Sequence, residues 1–204
     1  MRVQPPAIKR CILSIGHSNH SFESFLELLK RHQIEALVDV RSQPFSKYAS
    51  HFDLDPLRQA VTAAGVKYVF LGKELGGRPT GDGFYDADGH VLYGRMAEAP
   101  FFLKGIEHLE RWAEQYRTAL MCSEENPAVC HRYLLVARVL GQRGIEVEHI
   151  RGDGRIEREA EVAGAANAEG SERQLTLFGE AQKAPWRSLR PILPKSSQAS
   201  SAER

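Results

Sequence analysis

The chain has 204 residues, is 42% hydrophobic and 26% charged, and carries a formal net charge of +1. That length holds one domain with room for a tail, or two very small domains, and the balanced charge excludes a protein that binds nucleic acid through global basicity. No apolar run reaches about eighteen residues and Met1–Arg10 has no apolar signal core, so a cytoplasmic protein without a membrane span is expected.

The first predicted element is a strand, Cys11–Ile15, running into the polar turn Gly16–His17–Ser18–Asn19. Ser21 is placed to cap a helix whose Phe22, Phe25, Leu26 and Leu29 recur at helical spacing. Ala36–Val40 reads as the second strand, followed by Arg41, Pro44 and a loop with Phe45, Lys47, Tyr48, His51 and Phe52. Asp55 and Pro56 open a second helix that Gly65 ends, and Lys67–Leu71 is a third strand leading to Lys73 and Arg78. Asp82, Asp86 and Asp88 lie in a glycine-rich stretch whose spacing does not match a calcium loop, so it reads as turns. A helical stripe from Pro100 to Tyr116 follows, then a fourth strand, Ala119–Cys122, a helix over Pro127–Gln142, and a last strand, Glu146–Ile150.

The richest chemistry lies between the fourth strand and its helix. Cys122, Glu124, Cys130, His131 and Arg132 fall within eleven residues, with Asn126 as N-cap and Pro127 at the first helical position. A helix start leaves N–H groups unpaired and favours a thiolate or a bound anion, and Arg132 adds a fork of donors. Cys130 also falls on the apolar stripe Cys130, Leu134, Ala137, Gly141, so a packing role for it stands beside the reactive one. Three cysteines (Cys11, Cys122, Cys130) are too few for a disulfide framework, and reduced thiols are expected.

Strands alternating with helices predict an α/β fold: a five-stranded, mainly parallel sheet with helices on both faces, three layers in a Rossmann-like arrangement. The expected strand order is 3-2-1-4-5, with the ligand crevice at the switch between the first and fourth strands. Right-handed crossovers put every strand-to-helix loop on one edge. The candidate catalytic residues gathered there are Cys130, His131, His17 and Asp39, with Arg41, Lys73, Arg78, Glu124, Arg132 and Arg151 as substrate or anion binders. The domain is bounded at residues 8–156, and 157–204 reads as a disordered tail rich in Glu, Ala, Gly, Ser and Pro, with one apolar island at Gln174–Phe178 and a second, weaker one around Trp186, Leu189 and Ile192.

Ile15–Gly16–His17–Ser18, Val38–Asp39–Val40–Arg41 with Pro44, Leu75–Gly76–Gly77, Cys122–Ser123–Glu124, Cys130–His131–Arg132 and His149–Ile150 together resemble the bacterial family catalogued as domain of unknown function 488. The resemblance spans about Cys11 to Ile150 and implies an α/β fold without naming a reaction or a cofactor. In the tail, Gln174–Leu175–Thr176–Leu177–Phe178 resembles the pentapeptide by which bacterial polymerases and repair proteins dock on the DNA sliding clamp, with Thr176 where Ser or Asp is usual. Gln174, Leu175, Leu177 and Phe178 are the expected partner contacts, the two last as apolar anchors.

Three functions fit these residues. One is an enzyme or nucleotide- or nucleic-acid-processing factor, concerned with DNA repair or processing, brought to DNA by the clamp. The Cys-x5-Arg signature of cysteine phosphatases is absent, since Val136 stands where it needs arginine. Another is a small-molecule enzyme with a metal or anion at a Cys/His site. Cys122, Cys130 and His131 would be the ligands, with His17 or His149 as a further one, although Cys-x7-Cys-His is not a standard zinc spacing. The third is a binding module without catalysis.

Overall fold

The computed structural model describes residues 11–46, 49–169 and 186–193. Lys47, Tyr48 and the clamp-like segment Gln174–Phe178 lie outside the described residues. A six-stranded sheet forms the middle layer. Its parallel strands are β1 (Cys11–Gly16), β2 (Ala36–Asp39), β3 (Lys67–Phe70), β4 (Thr118–Cys122) and β5 (Glu146–Ile150). A sixth strand, β6 (Ile156–Arg158), adds antiparallel to β5. It crosses the boundary expected at residue 156, and the helix α7 (Glu159–Glu169) follows it.

The observed order is β3-β2-β4-β1-β5-β6, which differs from the expected 3-2-1-4-5 by placing β4 between β1 and β2. Hydrophobicity does not separate the two orders, because β4, every residue of which is buried, is interior in both. The consequence falls on function: the C-terminus of β4 is flanked on one side by the β1 turn and on the other by the β2 loop.

Alternation along the strands feeds two cores. Leu13, Ile15, Leu37, Ala119 and Met121 pack under α1 (Phe22–Arg31) and α2 (Leu54–Ala63), with Phe25, Leu29, Leu57 and Val61. Ile12, Val38, Leu120, Cys122 and Val147 face the other way. They meet α3 (Gly72–Leu75), α4 (Tyr93–Ala97), α5 (Pro100–Gln115) and α6 (Arg138–Gln142). Burying Phe25, Phe52 or Phe102 completely is worth about 1.5–3 kcal/mol each. Ser21 caps α1 by accepting from Ser24 N–H at 3.2 Å.

The helix expected over Pro127–Gln142 is broken. Asn126 caps only a 3-10 turn, Pro127–Val129, by accepting from Ala128 N–H at 2.9 Å. Cys130 is then extended (φ −104°, ψ 143°), and its carbonyl accepts from Tyr133 and Leu134 N–H as the next helix begins. That helix starts as a π-helical stretch, Arg132–Ala137, before becoming α6. Cys130 therefore stands before the helix rather than in its first turn, and π-helical insertions recur where side chains must be re-aimed at a site.

The weaker apolar island of the tail packs on the domain. Trp186 Nε1 donates to Leu134 O at 2.7 Å, and the Arg138 guanidinium lies 4.3 Å above the Trp186 ring. Ser188 exchanges hydrogen bonds with Val91, N–H to O at 2.9 Å and Oγ from N–H at 3.0 Å, and Ile192 N–H donates to Gly89 O.

Candidate functional site

The loops after β1, β2 and β4 meet at the carboxyl edge of the sheet. His17 N–H donates to Cys122 O at 2.9 Å and Ser18 N–H to Ser123 O at 2.9 Å, extending the β1–β4 pairing into the loop. Gly16 is required here: a Cβ at this position would collide with the Glu124 carbonyl oxygen.

Arg132, expected to bind an anion, has a different position. It is fully buried. It donates to Glu124 O through Nη1, to Glu125 O at 2.7 Å, and to Ser14 Oγ at 3.2 Å. Its donors hold the 124–125 turn from beneath, where peptide carbonyls would otherwise lack partners. Arg151 clamps the same turn from the side. It pairs with Glu125 at 2.7 Å and with Glu157, and these ion pairs hold the Arg151 guanidinium away from the cavity. Lys73 is exposed on α3 and does not line the cavity. Behind Arg132, Ser14 Oγ lies 2.6 Å from His149 Nδ1, and His149 Nε2 is buried without a partner among the described residues.

The remaining candidates divide into two groups. In the first, Asp39 accepts from Arg41 through Nε (2.9 Å) and Nη2 (2.6 Å), from Arg41 N–H (3.0 Å) and from Tyr68 OH (2.7 Å). With its lone pairs so engaged, Asp39 positions Arg41 rather than acting as a base. Arg41 Nη1 lies 3.3 Å from His17 Nε2, while His17 Nδ1 meets Ser18 O at 2.9 Å. That arrangement fits a neutral imidazole with its proton on Nδ1. Burial, then the neighbouring Arg41 charge, lowers its pKa to about 4. His17 stacks on Phe52 at 4.3 Å, in the core on the α1 side, whereas Cys130 belongs to the opposite core. His17 and Asp39 do not line the cavity.

The second group is compact. Cys122 Sγ and Cys130 Sγ lie 3.0 and 3.1 Å from the same carboxylate oxygen, Glu124 Oε2, and 3.7 and 3.8 Å from His131 Nδ1. His131 Nε2 is 3.0 Å from Val40 O, a donor bond that fixes the ring. Gly77 packs on its other side, where an added Cβ would stand 2.8 Å from His131 Cγ. Contact with Cys130, then burial, pushes the Cys122 thiol well above its ordinary range. For Cys130 burial acts upward, but Cys122, Arg132 and His131 outweigh it and hold the thiol well below that range. His131 is raised despite its burial, through Cys130 and Glu124.

A cavity of about 380 Å³ opens above this group. Cys122, Glu124 and His131 form its floor, while Cys130, 1% exposed, sits behind them. Arg41, Arg78 and Arg190 reach its walls, and among the described residues Glu124 is the one carboxylate that lines it. Phe45, Val129 and Leu189, three large apolar residues with exposures of 75, 46 and 57%, ring the mouth. The sequence reading missed this wall, since Leu189 and Arg190 come from the segment assigned to the tail. The signal was the island around Trp186, Leu189 and Ile192.

Fold and site thus define a three-layer α/β domain with a Cys/His/Glu cluster beneath an arginine-lined cavity at the switch of crossover direction. The family model for Domain of unknown function DUF488 matches residues 21–139, and the chain belongs to that family. No curated protein and no solved structure matches the chain. Among the described residues no helix is long and apolar enough to cross a membrane.

Proposed function

We propose that the domain binds a phosphate-bearing ligand in the arginine-lined cavity, a nucleotide or the phosphate end of a nucleic acid. The observation that carries this reading is the set of three guanidiniums around one small cavity. Arg41 among them is held rigid by Asp39, with one Nη1 N–H directed at His17 Nε2 and the other left to donate. Guanidiniums match phosphate geometry through paired N–H donors, and a preorganised one loses little entropy on binding. The volume suits a small ligand, and exposed Phe45 at the mouth offers a face for a base to stack on. The reactive groups on the floor favour an enzyme over a passive module.

The test is calorimetric titration of the full chain with inorganic phosphate, a nucleoside monophosphate and a short 5′-phosphorylated oligonucleotide. Arg41→Met and Arg190→Met should each weaken nucleotide binding roughly ten- to a hundredfold, from about 1.5–3 kcal/mol per hydrogen bond to a charged group. No heat from any of the three at millimolar concentration, or unchanged affinity in both variants, would overturn the proposal.

Recruitment to DNA is the second part of the reading, and the tail sequence supports it. Gln174, Leu175, Leu177 and Phe178 would dock on the sliding clamp with about micromolar affinity, because a peptide that must order itself loses part of its contact energy. A peptide with Leu177→Ala and Phe178→Ala should lose binding to purified clamp. Equal binding by that control removes the clamp from the account.

A further inference from the structure

We propose that the cavity floor is a binding site for one thiophilic divalent cation of the zinc class, held by Cys122 Sγ, Cys130 Sγ and His131 Nδ1. The proposal stands on the floor alone and does not depend on what the arginines bind. The three donor atoms come from the end of β4 and from the two residues just before the π-helical stretch, and all lie within 4.8 Å of one another. Tetrahedral zinc with ordinary Zn–S and Zn–N bonds separates sulfur from nitrogen by about 3.6 Å, and the observed separations are 3.7 and 3.8 Å. The hydrogen bond from His131 Nε2 to Val40 O leaves the Nδ1 lone pair aimed at both sulfurs, the outer-shell arrangement that orients a metal-bound imidazole.

Glu124 strengthens the argument. Its Oε2 lies 3.0 and 3.1 Å from the two sulfurs, so four electron-rich atoms converge on one point. A tetrahedral site would place an oxygen ligand about 3.5 Å from each sulfur. Glu124 is therefore half an ångström too close to be a fourth ligand as it stands, by roughly that comparison. It moves outward to ligate, or yields the fourth position to water or substrate. That position faces the cavity, since Cys122, Glu124 and His131 line it. An open fourth position is the mark of a catalytic ion, which would polarise an oxygen of a bound ligand or lower the pKa of a bound water.

The experiment is elemental analysis of the untagged full chain after zinc loading and exhaustive dialysis, with cobalt(II) substitution read by absorption. Wild type and the Cys11→Ser control should retain about one equivalent of zinc, and cobalt should give the intense thiolate-to-metal band of a tetrahedral site. Cys122→Ser and Cys130→Ser should retain less than a tenth of that, roughly, and Glu124→Gln should weaken binding about ten- to a hundredfold. Wild type that retains no zinc and shows no thiolate–cobalt band overturns the proposal, whether or not the serine variants fold. Full retention by folded Cys122→Ser and Cys130→Ser does so as well. Because nucleotide affinity is read separately through Arg41 and Arg190, failure of either proposal leaves the other distinguishable.

Discussion

Asp39 and Arg41 offer the sharpest energetic test, because the pair is buried to 0 and 3% exposure and three of the contacts between them are 3.0 Å or shorter. Removing one member leaves the other charged, almost fully buried and without its partner. Asp39→Ala should therefore cost about 3–5 kcal/mol in urea unfolding, the range for an orphaned buried charge. Replacing both residues, as Asp39→Leu with Arg41→Met, should recover much of that loss, since two apolar groups leave no charge to solvate. The exposed pair Asp55–Arg58, at 65 and 54% exposure, is the internal control and should be worth less than about 1 kcal/mol. Ligand binding shows no such recovery: the double variant, though stabler than Asp39→Ala, should bind phosphate no better than Arg41→Met alone. A loss below about 1 kcal/mol in Asp39→Ala would refute the assignment of Asp39 as the support of Arg41, and phosphate affinity retained by the double variant would refute Arg41 as the phosphate binder.

Other predictions follow from the same geometry. His17 and His149 have folded-state pKa values lowered to about 4 and about 3, both by burial first and then by neighbouring arginines. The unfolded chain takes up their protons first, so stability is full above about pH 6.5 and falls as pH drops toward 4. For His17 the loss is about 3 kcal/mol. His149→Gln should flatten that slope in unfolding measured from pH 7 to 4, and an unchanged slope contradicts the assignment. Gly77→Ala should press on the His131 ring and weaken zinc retention in dialysis while keeping most of the fold. Full retention would mean the ring needs no such support. Trp186→Ala removes the anchor of the 186–193 segment, and nucleotide affinity should drop through loss of the Arg190 wall. Unchanged affinity would make that wall dispensable.

Much of the fold was legible because each strand is a short apolar run closed by a polar turn, and each long helix carries a stripe at its own period. Strand order was not, because the position of β4 depends on which face each crossover takes, and both orders bury Thr118–Cys122 equally. At the site, the sequence could gather residues at one edge but could not assign their sides. Asp39 and Arg41, two apart on one strand end, turn toward each other, and His17 turns toward Phe52 rather than Cys130. Arg132 looked like an anion binder because nothing in its neighbourhood announces that the carbonyls of Glu124 and Glu125 would turn inward to meet it. Residues 186–193 were unreadable for a related reason. Trp186, Leu189 and Ile192 are too sparse to mark an element, and the segment takes its place through Leu134 O and the Arg138 guanidinium at Trp186, Val91 at Ser188 and Gly89 O at Ile192.

The central claim is that this cavity receives phosphate through Arg41, and the most direct measurement is a crystal structure of the chain soaked with a nucleoside monophosphate at saturating concentration. The account predicts phosphate oxygens within hydrogen-bond distance of Arg41 Nη1, with Arg78 and Arg190 as further donors and the base against Phe45. A nucleotide bound elsewhere on the molecule, with the cavity filled only by water, would contradict it.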